Sequence, residues 1–401
     1  MKVPPAWKVK RELLRIRTRA VLFASRWVYD PVRKPIYDLT ARWRQRVTQG
    51  SLPLTDRVAV FVIYQPKGVA ASIFLTLEHL RQNRFSVLLV SNGPLRPEDR
   101  TLLAQHAARV LERPNAGYDF GGYRDGIRHL WSLNHEMSRL ILMNDSTWFP
   151  LRRDDDSLAR MEALGADLAG HILKRASVSF DHVESHLLMF GSRALENPAI
   201  RSFWLNYVMS DSRLRTIADG EVAITQLALK QGLSVSTLID PDKMISLLAN
   251  LSSEDLRNVF RQMALRTTWD REARTKWLSS EVVEDQWREG FLTWTMSELS
   301  TSREHFISST FVDAAVRLGG MGFLKKPGDP RFHLARAALL EGIQAGRIKN
   351  VDPIVNQELQ AAVNSWVQPE NWECSPDKLH STLLAMVSRN AAINLPAQAG
   401  K

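Results

Sequence analysis

Arg113-Pro-Asn-Ala-Gly-Tyr-Asp-Phe-Gly-Gly-Tyr123, followed after a helical pattern by Arg139-Leu-Ile-Leu-Met-Asn-Asp-Ser146, is the stretch whose reading decides the fold. Its first half is a glycine-rich turn entering a helix expected from Tyr123 to Leu133. Its second half is an apolar strand that ends in Asn144-Asp145-Ser146. A turn of this kind and a strand-end carboxylate place backbone donors and an acid at one edge of a sheet. Open α/β sheets bind their ligands at that edge.

The sequence on either side agrees. Arg57 to Tyr64, Ser86 to Ser91 and Ala108 to Glu112 are short β-branched or apolar runs, as expected of strands buried on both faces. Helical patterns separate them: Ser72 to Asn83, with Ile73, Leu77 and Leu80 on one side, and Pro97 to His106, with proline in the first turn. Strand and helix alternating over short connections predict parallel strands with right-handed crossovers. Downstream, Ala166 to His171, His186 to Phe190 and Ser234 to Ile239 are further strands. Pro198 to Met209 is a helix, and Asp219-Gly-Glu221 opens another that closes at Gly232. Beyond Pro241 the pattern is mainly helical, punctuated by Trp269, Trp277, Trp287 and Trp294, with a Gly-rich turn at residues 319–322 before Phe323-Leu-Lys-Lys326. The expected organisation is a basic N-terminal arm and linker (1–54), an α/β domain with a mostly parallel sheet flanked by helices (55–245) and a helical C-terminal region (246–401).

Composition limits the function. The 401 residues are 44% hydrophobic, enough for a large core. The formal net charge is +10, and residues 1 to 50 carry all of it, with thirteen Lys and Arg against Glu12, Asp30 and Asp38. A neutral body argues against wrapping nucleic acid, which needs basic residues wherever the polymer lies. Cys374 is the only cysteine, so no intrachain disulfide forms. Neither a spanning helix nor a secretory leader is expected, and the cytoplasm is the simplest location.

From Trp7 to Val28 the apolar residues Val9, Leu13, Ile16, Ala20, Phe23 and Trp27 fall at spacings of four and three among basic residues. This amphipathic helix is read in two ways. It lies on an anionic membrane surface, or it packs on the protein with a solvated basic face. Turn signals at Asp30-Pro31 and Lys34-Pro35 follow, and a polar linker ends near Ser51-Leu-Pro53.

Among motifs that carry chemistry, Gly117, Gly121 and Gly122 permit close backbone approach. A helix beginning near Gly122 would aim free amides at an anion, but the pattern is neither a dinucleotide fingerprint nor a phosphate-binding loop. Asp145 at a strand end suits a divalent cation clamping a diphosphate, with Asn144 and Ser146 adding oxygens; a strand-end Asp is also a common turn former. Glu221 at a helix start suits a general base, although the helix dipole alone would favour it there. His182-Val-Glu-Ser-His186 has imidazoles four apart, but Glu184 is misplaced for a zinc protease motif, and a binding loop before a strand is expected. Asp154-Asp-Asp156 reads as a solvated loop and helix cap.

Asn115-Ala-Gly-Tyr-Asp-Phe-Gly-Gly-Tyr123, Asn144-Asp145-Ser146, His186-Leu-Leu-Met-Phe190 with Phe203-Trp204, and Glu221 ahead of Gly232 together resemble the rhamnan synthesis protein F family. The resemblance spans roughly Arg57 to Ile239 and continues faintly to Phe323-Leu-Lys-Lys326. It implies a bacterial glycosyltransferase of the GT-A type, acting in cell-wall rhamnan, O-antigen or capsular polysaccharide assembly. The implied donor is a nucleotide-diphosphate sugar such as dTDP-rhamnose, and the implied acceptor a growing, often lipid-linked saccharide. It further implies a donor pocket of Tyr64, Asn115, Gly117, Tyr118, Asp119, Asn144 and Ser146, with His186 and Lys325 on the acceptor side. Asp145 would hold Mg²⁺ or Mn²⁺, Glu221 would serve as base, and the reaction would invert. Asn144 stands where such enzymes keep the first acid of Asp-x-Asp. Residues 1 to 50 would hold the protein peripherally on the inner face of the plasma membrane. The alternatives are a metal-independent or UDP-hexose transferase, and a non-catalytic saccharide-binding or assembly partner at the membrane face.

Overall fold

Seven consecutive residues, Arg57–Ile63, form β2, and their side chains alternate between two cores. Ala59, Phe61 and Ile63 enter one, while Val58, Val60 and Val62 enter the other. A strand apolar on both faces must be covered by helices on both faces, and that requirement organises the molecule. The computed structural model describes Phe23 and residues 30–175, 180–281, 283–301 and 305–367.

The chain enters through helix α1 (Asp30–Arg44) and edge strand β1 (Arg46–Gln49). It continues through β2, α2 (Ala71–Gln82), β3 (Ser86–Ser91), α3 (Pro97–Gln105), β4 (Arg109–Glu112), α4 (Tyr118–Ser132), β5 (Arg139–Asn144) and β6 (Thr147–Trp148). Next come α5 (Ser157–Ala163), β7 (Leu168–Lys174), β8 (His182–Val183), β9 (Leu187–Gly191), α6 (Ser192–Glu196) and α7 (Pro198–Asn206). A continuous helical run follows: α8 (Arg213–Thr216), a π-helical turn (Ile217–Val222) and α9 (Ala223–Lys230), then β10 (Val235–Ile239).

The main sheet runs β1-β4-β3-β2-β5-β9-β7-β10, with β8 paired to β7. The β4-β3-β2-β5 and β7-β10 pairings are parallel, and β9 is reversed between β5 and β7. The expected mixed α/β architecture with a mostly parallel sheet and a helical C-terminal region is present. The strands that run against the parallel set are β9 and the edge strand β1. Strands β8 and β9 both run antiparallel to β7, because the link from Lys174 to His182 is too short for a crossover. Strand order reverses direction at β2 and β5, which are neighbours but not consecutive; such a switch point opens a crevice at the strands' C-terminal ends.

One face carries α2, α3 and α5, and the same apolar cluster extends into α10 (Pro241–Ala249), α11 (Ser253–Gln262), α12 (Thr268–Leu278), α13 (Glu284–Thr301), α14 (Val312–Arg317), α15 (Pro330–Gln344) and α16 (Pro353–Asn364). Trp287 and Phe291, both buried, stack at 5.5 Å inside it. The other face carries α1, α4, α7 and α9. A two-stranded sheet pairs β11 (Leu324–Lys325) with β6.

Two local expectations change. The expected turns at Asp30-Pro31 and Lys34-Pro35 lie within α1, because Tyr37 and Asp38 anchor that helix to α4 through Asp125 and Arg124. Helix α4 begins at Tyr118, five residues early, so Gly121 and Gly122 sit inside it. The amphipathic helix read at Trp7–Val28 lies outside the described residues apart from Phe23.

Candidate functional site

Arg113 holds the glycine turn in place from below. Its guanidinium is buried and donates to Asp125 Oδ2 (2.7 Å), Asn92 Oδ1 (2.5 Å) and the Ala116 carbonyl (2.8 Å). Gly117 then turns with φ +73°, and a Cβ there would lie 2.6 Å from Met209 Cβ, so only glycine fits. Its amide donates to Asp211 Oδ1 at 3.0 Å, and Gly121 N donates to Gly117 O. These amides are spent within the protein, which corrects the expected anion cradle at the glycines. Gly122 instead brings α4 onto β2: a Cβ there would meet both Val62 methyls at 2.7 Å.

The turn delivers Asp119 to the end of β5. Asn144 Nδ2 donates to Asp119 Oδ2 (2.8 Å), while Asn144 Oδ1 accepts from Ser146 N (3.0 Å) and Ser146 Oγ (2.5 Å). This bonding explains why an amide stands at 144: it donates to Asp119 through Nδ2 while accepting from Ser146 through Oδ1, which an ionised carboxylate cannot do. Asp145 follows. Its Oδ2 accepts from Tyr64 N (2.9 Å) and Gln65 Nε2 (2.6 Å), both at the end of β2. Burial raises the pKa of Asp119 to about 7, helped by the charge of Asp145 and opposed by Lys325. Burial also raises Asp145, against the donors Gln65 and Tyr64 and the charge of Lys326.

Glu221 does not start a helix, as the sequence suggested. It lies in the π-helical turn of the run from Arg213 to Lys230, where dipole chemistry gives no reason for it. That turn packs against α4, since a Cβ on Gly220 would sit 2.7 Å from the Phe120 ring. Inserted π turns of this kind often mark functional sites. Glu221 Oε2 accepts from Ser185 Oγ (2.7 Å), and Oε1 is 3.3 Å from His182 Nε2. His182 Nδ1 lies 2.9 Å from the Phe180 carbonyl, which can only accept, so Nδ1 carries a proton. The contact between Glu221 and Nε2 therefore closes only with one proton between them. Burial would raise Glu221, but the bond and charge of His182, the Ser185 hydroxyl and Lys325 outweigh it and bring the carboxyl down to about 2.

The C-terminal region supplies cations. Strand β11 pairs Lys325 with Thr147, immediately beyond the Asn144-Asp145-Ser146 turn, and Lys326 N donates to Ser146 O (2.7 Å). Lys325 Nζ contacts Glu184 Oε2 (3.1 Å) and His186 Nδ1 (3.2 Å). His186 Nε2 meets His171 Nδ1 at 3.0 Å, and its ring packs on Phe323. Burial drives His186 well below the ordinary histidine range and His171 down to about 3, each with help from Lys325. Lys326 Nζ donates to Ser72 Oγ and lies over the Trp148 ring; burial lowers it, against Glu358 and Asp145.

Asp119, Asn144, Asp145, Ser146, Glu221 and Lys325 are thus brought together. Tyr64 and Tyr118 are exposed and flank the Asn92-Gly93 end of β3: Tyr64 lies 4.0 Å from where a Gly93 Cβ would be, and Asn92 Nδ2 donates to Tyr118 O. Asn115 is exposed on the turn. His186 is buried and supports Lys325. Gln65, His171, His182, Glu184, Ser185 and Lys326 were not singled out for this site. The signal for three of them was the 182–186 motif, in which His182 and Ser185 serve Glu221 while Glu184 and His186 serve Lys325. Asp154 and Asp156 remain outside the site, and Asp155 is buried, where it accepts from Ser157 N.

Residues 87–256 match the family model described as Rhamnan synthesis protein F. The resemblance to that family holds. The matched stretch contains the glycine turn, the Asn144-Asp145-Ser146 strand end, the His182–His186 segment and Glu221. A protein of Sinorhizobium fredii (strain NBRC 101917 / NGR234), described as "Uncharacterized protein y4gN", is 29% identical over 358 residues, 88% of this chain and 91% of the relative. That similarity therefore extends past the rhamnan synthesis protein F stretch. Among the described residues no helix is long and apolar enough to cross a membrane.

Proposed function

We propose that this chain is a glycosyltransferase of GT-A type that moves a sugar from a nucleotide-diphosphate donor to a growing, lipid-linked saccharide, with dTDP-rhamnose as the donor to test first. The observation that carries this reading is the convergence of Asp119, Asp145 and the Glu221–His182 pair with Lys325 and Lys326, at the switch point of a mostly parallel sheet. The reversed strand β9 and the family match support it.

In this reading Tyr64 and Tyr118 flank the nucleobase, and Lys325 and Lys326 face the charge of the diphosphate. The acceptor hydroxyl attacks the anomeric carbon as the bond to the diphosphate breaks, inverting the centre. Glu221 takes the hydroxyl proton on its carboxylate, while His182 keeps both of its ring protons. Asp119 and Asp145 are the carboxylates that would hold Mg²⁺ or Mn²⁺: burial and, after it, the charge of Asp145 raise Asp119, and a cation would offset both. Such an ion, when bound, supplies positive charge to the leaving diphosphate. A lipid-linked acceptor goes with peripheral residence on the inner face of the plasma membrane, through residues 1–50.

Transfer from a panel of labelled nucleotide sugars, with and without EDTA, tests the reading. Turnover that falls in both Asp145→Ala and Glu221→Ala is expected. Full activity in both variants overturns the site. Saccharide binding with no turnover and no thermal shift by any nucleotide diphosphate favours the non-catalytic partner.

A further inference from the structure

Helix α1 has two faces of opposite character. Lys34, Tyr37, Asp38 and Ala41 turn inward: Tyr37 Oη donates to Asp125 Oδ2 (2.6 Å), and Asp38 accepts from Arg124 Nη2 (2.6 and 2.8 Å) and Arg128 Nη1 (2.8 Å). Arg124 and Asp125 belong to α4 and are buried, so α1 is clamped to the body. Outward lie Val32, Ile36, Leu39 and Trp43, which are 57%, 56%, 71% and 69% exposed. Their spacings of four, three and four confine them to an arc of about 60° at 100° per residue. Among the described residues, neither core cluster takes in Val32, Ile36 or Leu39.

We propose that this face docks onto an anionic lipid bilayer. Charge complementarity selects that occupant: residues 1–29, directly ahead of α1, hold eight Lys and Arg against Glu12 alone. Each basic residue near an anionic surface adds about 1 kcal/mol, and an amphipathic helix buries its apolar face shallowly at the headgroup boundary. Leucine, isoleucine, valine and tryptophan on one face of a helix held flat by its opposite side suit that depth. The docked helix also communicates with the site. Arg33 at its start pairs with Asp211, whose other oxygen accepts from Gly117 N, the residue that turns the chain into Tyr118-Asp119. The bilayer surface therefore adjoins the turn that opens the site, the place where a lipid-anchored acceptor would arrive. The docking itself holds whether or not the site transfers sugar.

Co-sedimentation of the full chain with phosphatidylglycerol-containing vesicles, against pure phosphatidylcholine vesicles, tests this. Binding to the anionic vesicles is expected to weaken about tenfold in the Ile36→Glu/Leu39→Glu variant, and less in Ile36→Ser/Leu39→Ser, with unchanged thermal unfolding because both side chains are exposed. Equal anionic-vesicle binding by the wild type and both variants overturns the proposal, as does equal binding to the neutral vesicles. A lipid-free dimer that dissociates in the Glu variant, seen by light scattering, assigns the face to a second copy instead. Turnover with a soluble acceptor reports separately on the proposed transferase, and the α1 variants are expected to retain it.

Discussion

Glu221 Oε1 and His182 Nε2 stand 3.3 Å apart and share a single proton, because His182 commits its other ring proton to the Phe180 carbonyl. A carboxylate held at a pKa of about 2 is a weak base on its own. His182 already holds both ring protons, so the acceptor's proton stays on Glu221. Glu221→Gln is expected to lower transfer about 10²- to 10⁴-fold, the usual range for lost general base catalysis. His182→Gln should lower it less and displace the acidic limb of the rate profile. Steady-state rates between pH 5 and 9 check this, and wild-type profiles in both variants remove the pair from the mechanism.

Asp119 makes stability depend on pH in a direction opposite to most carboxylates. Its folded pKa of about 7 lies above the ordinary aspartate range. The folded state therefore keeps a proton that the unfolded chain releases, and this contribution is complete below about pH 4 and lost as pH rises through 7. In metal-free buffer, Asp119→Asn should gain about 1 to 3 kcal/mol over wild type at pH 8 and little at pH 4. Urea unfolding at the two pH values measures it. An equal effect at both excludes the raised carboxyl.

Lys325 and Glu184 form a largely buried ion pair, so removing one partner strands the other. Lys325→Met should cost about 3 kcal/mol, and adding Glu184→Gln should recover part of it. Lys326→Gln leaves that pair intact. It is expected to weaken nucleotide-diphosphate binding about tenfold, since one ion contact with a phosphate is worth about 1.4 kcal/mol or more. Isothermal titration gives the comparison.

Gly122 lets α4 approach β2. Gly122→Ala places a methyl 2.7 Å from both Val62 methyls and should destabilise by about 1 to 3 kcal/mol. Pairing it with Val62→Ala should restore some of the loss, and chemical denaturation of the four proteins closes the cycle.

Much of the architecture was legible because buried strands such as Arg57–Ile63 and Arg139–Asn144 must be apolar on both faces, and that leaves a local trace. The carboxylates at Asp145 and Glu221 were visible too, as polar residues at the ends of apolar patterns. The start of α4 was not legible. It depends on Gly117 meeting Met209, ninety-two residues away, and on a Tyr118 φ of +50° that local propensity disfavours. The reading of Glu221 as a helix start failed for a similar reason: only packing of Gly220 on Phe120 explains a π turn inside one helical run.

Taken alone, the amino-acid order determined the strand-helix alternation, the basic N-terminal segment and the acids available at the sheet edge, since periodicity and charge are properties of neighbours in the chain. The tertiary structure decided which of those acids meet which bases. Lys325 reaches Glu184 and His186 only because β11 pairs with β6, and His182 reaches Glu221 only because the β8 hairpin folds against the π turn. Electrostatic energy depends on distances in space, and burial lowers the screening that would otherwise blur it. A protonation state near neutrality at Asp119 is therefore a property of the folded molecule.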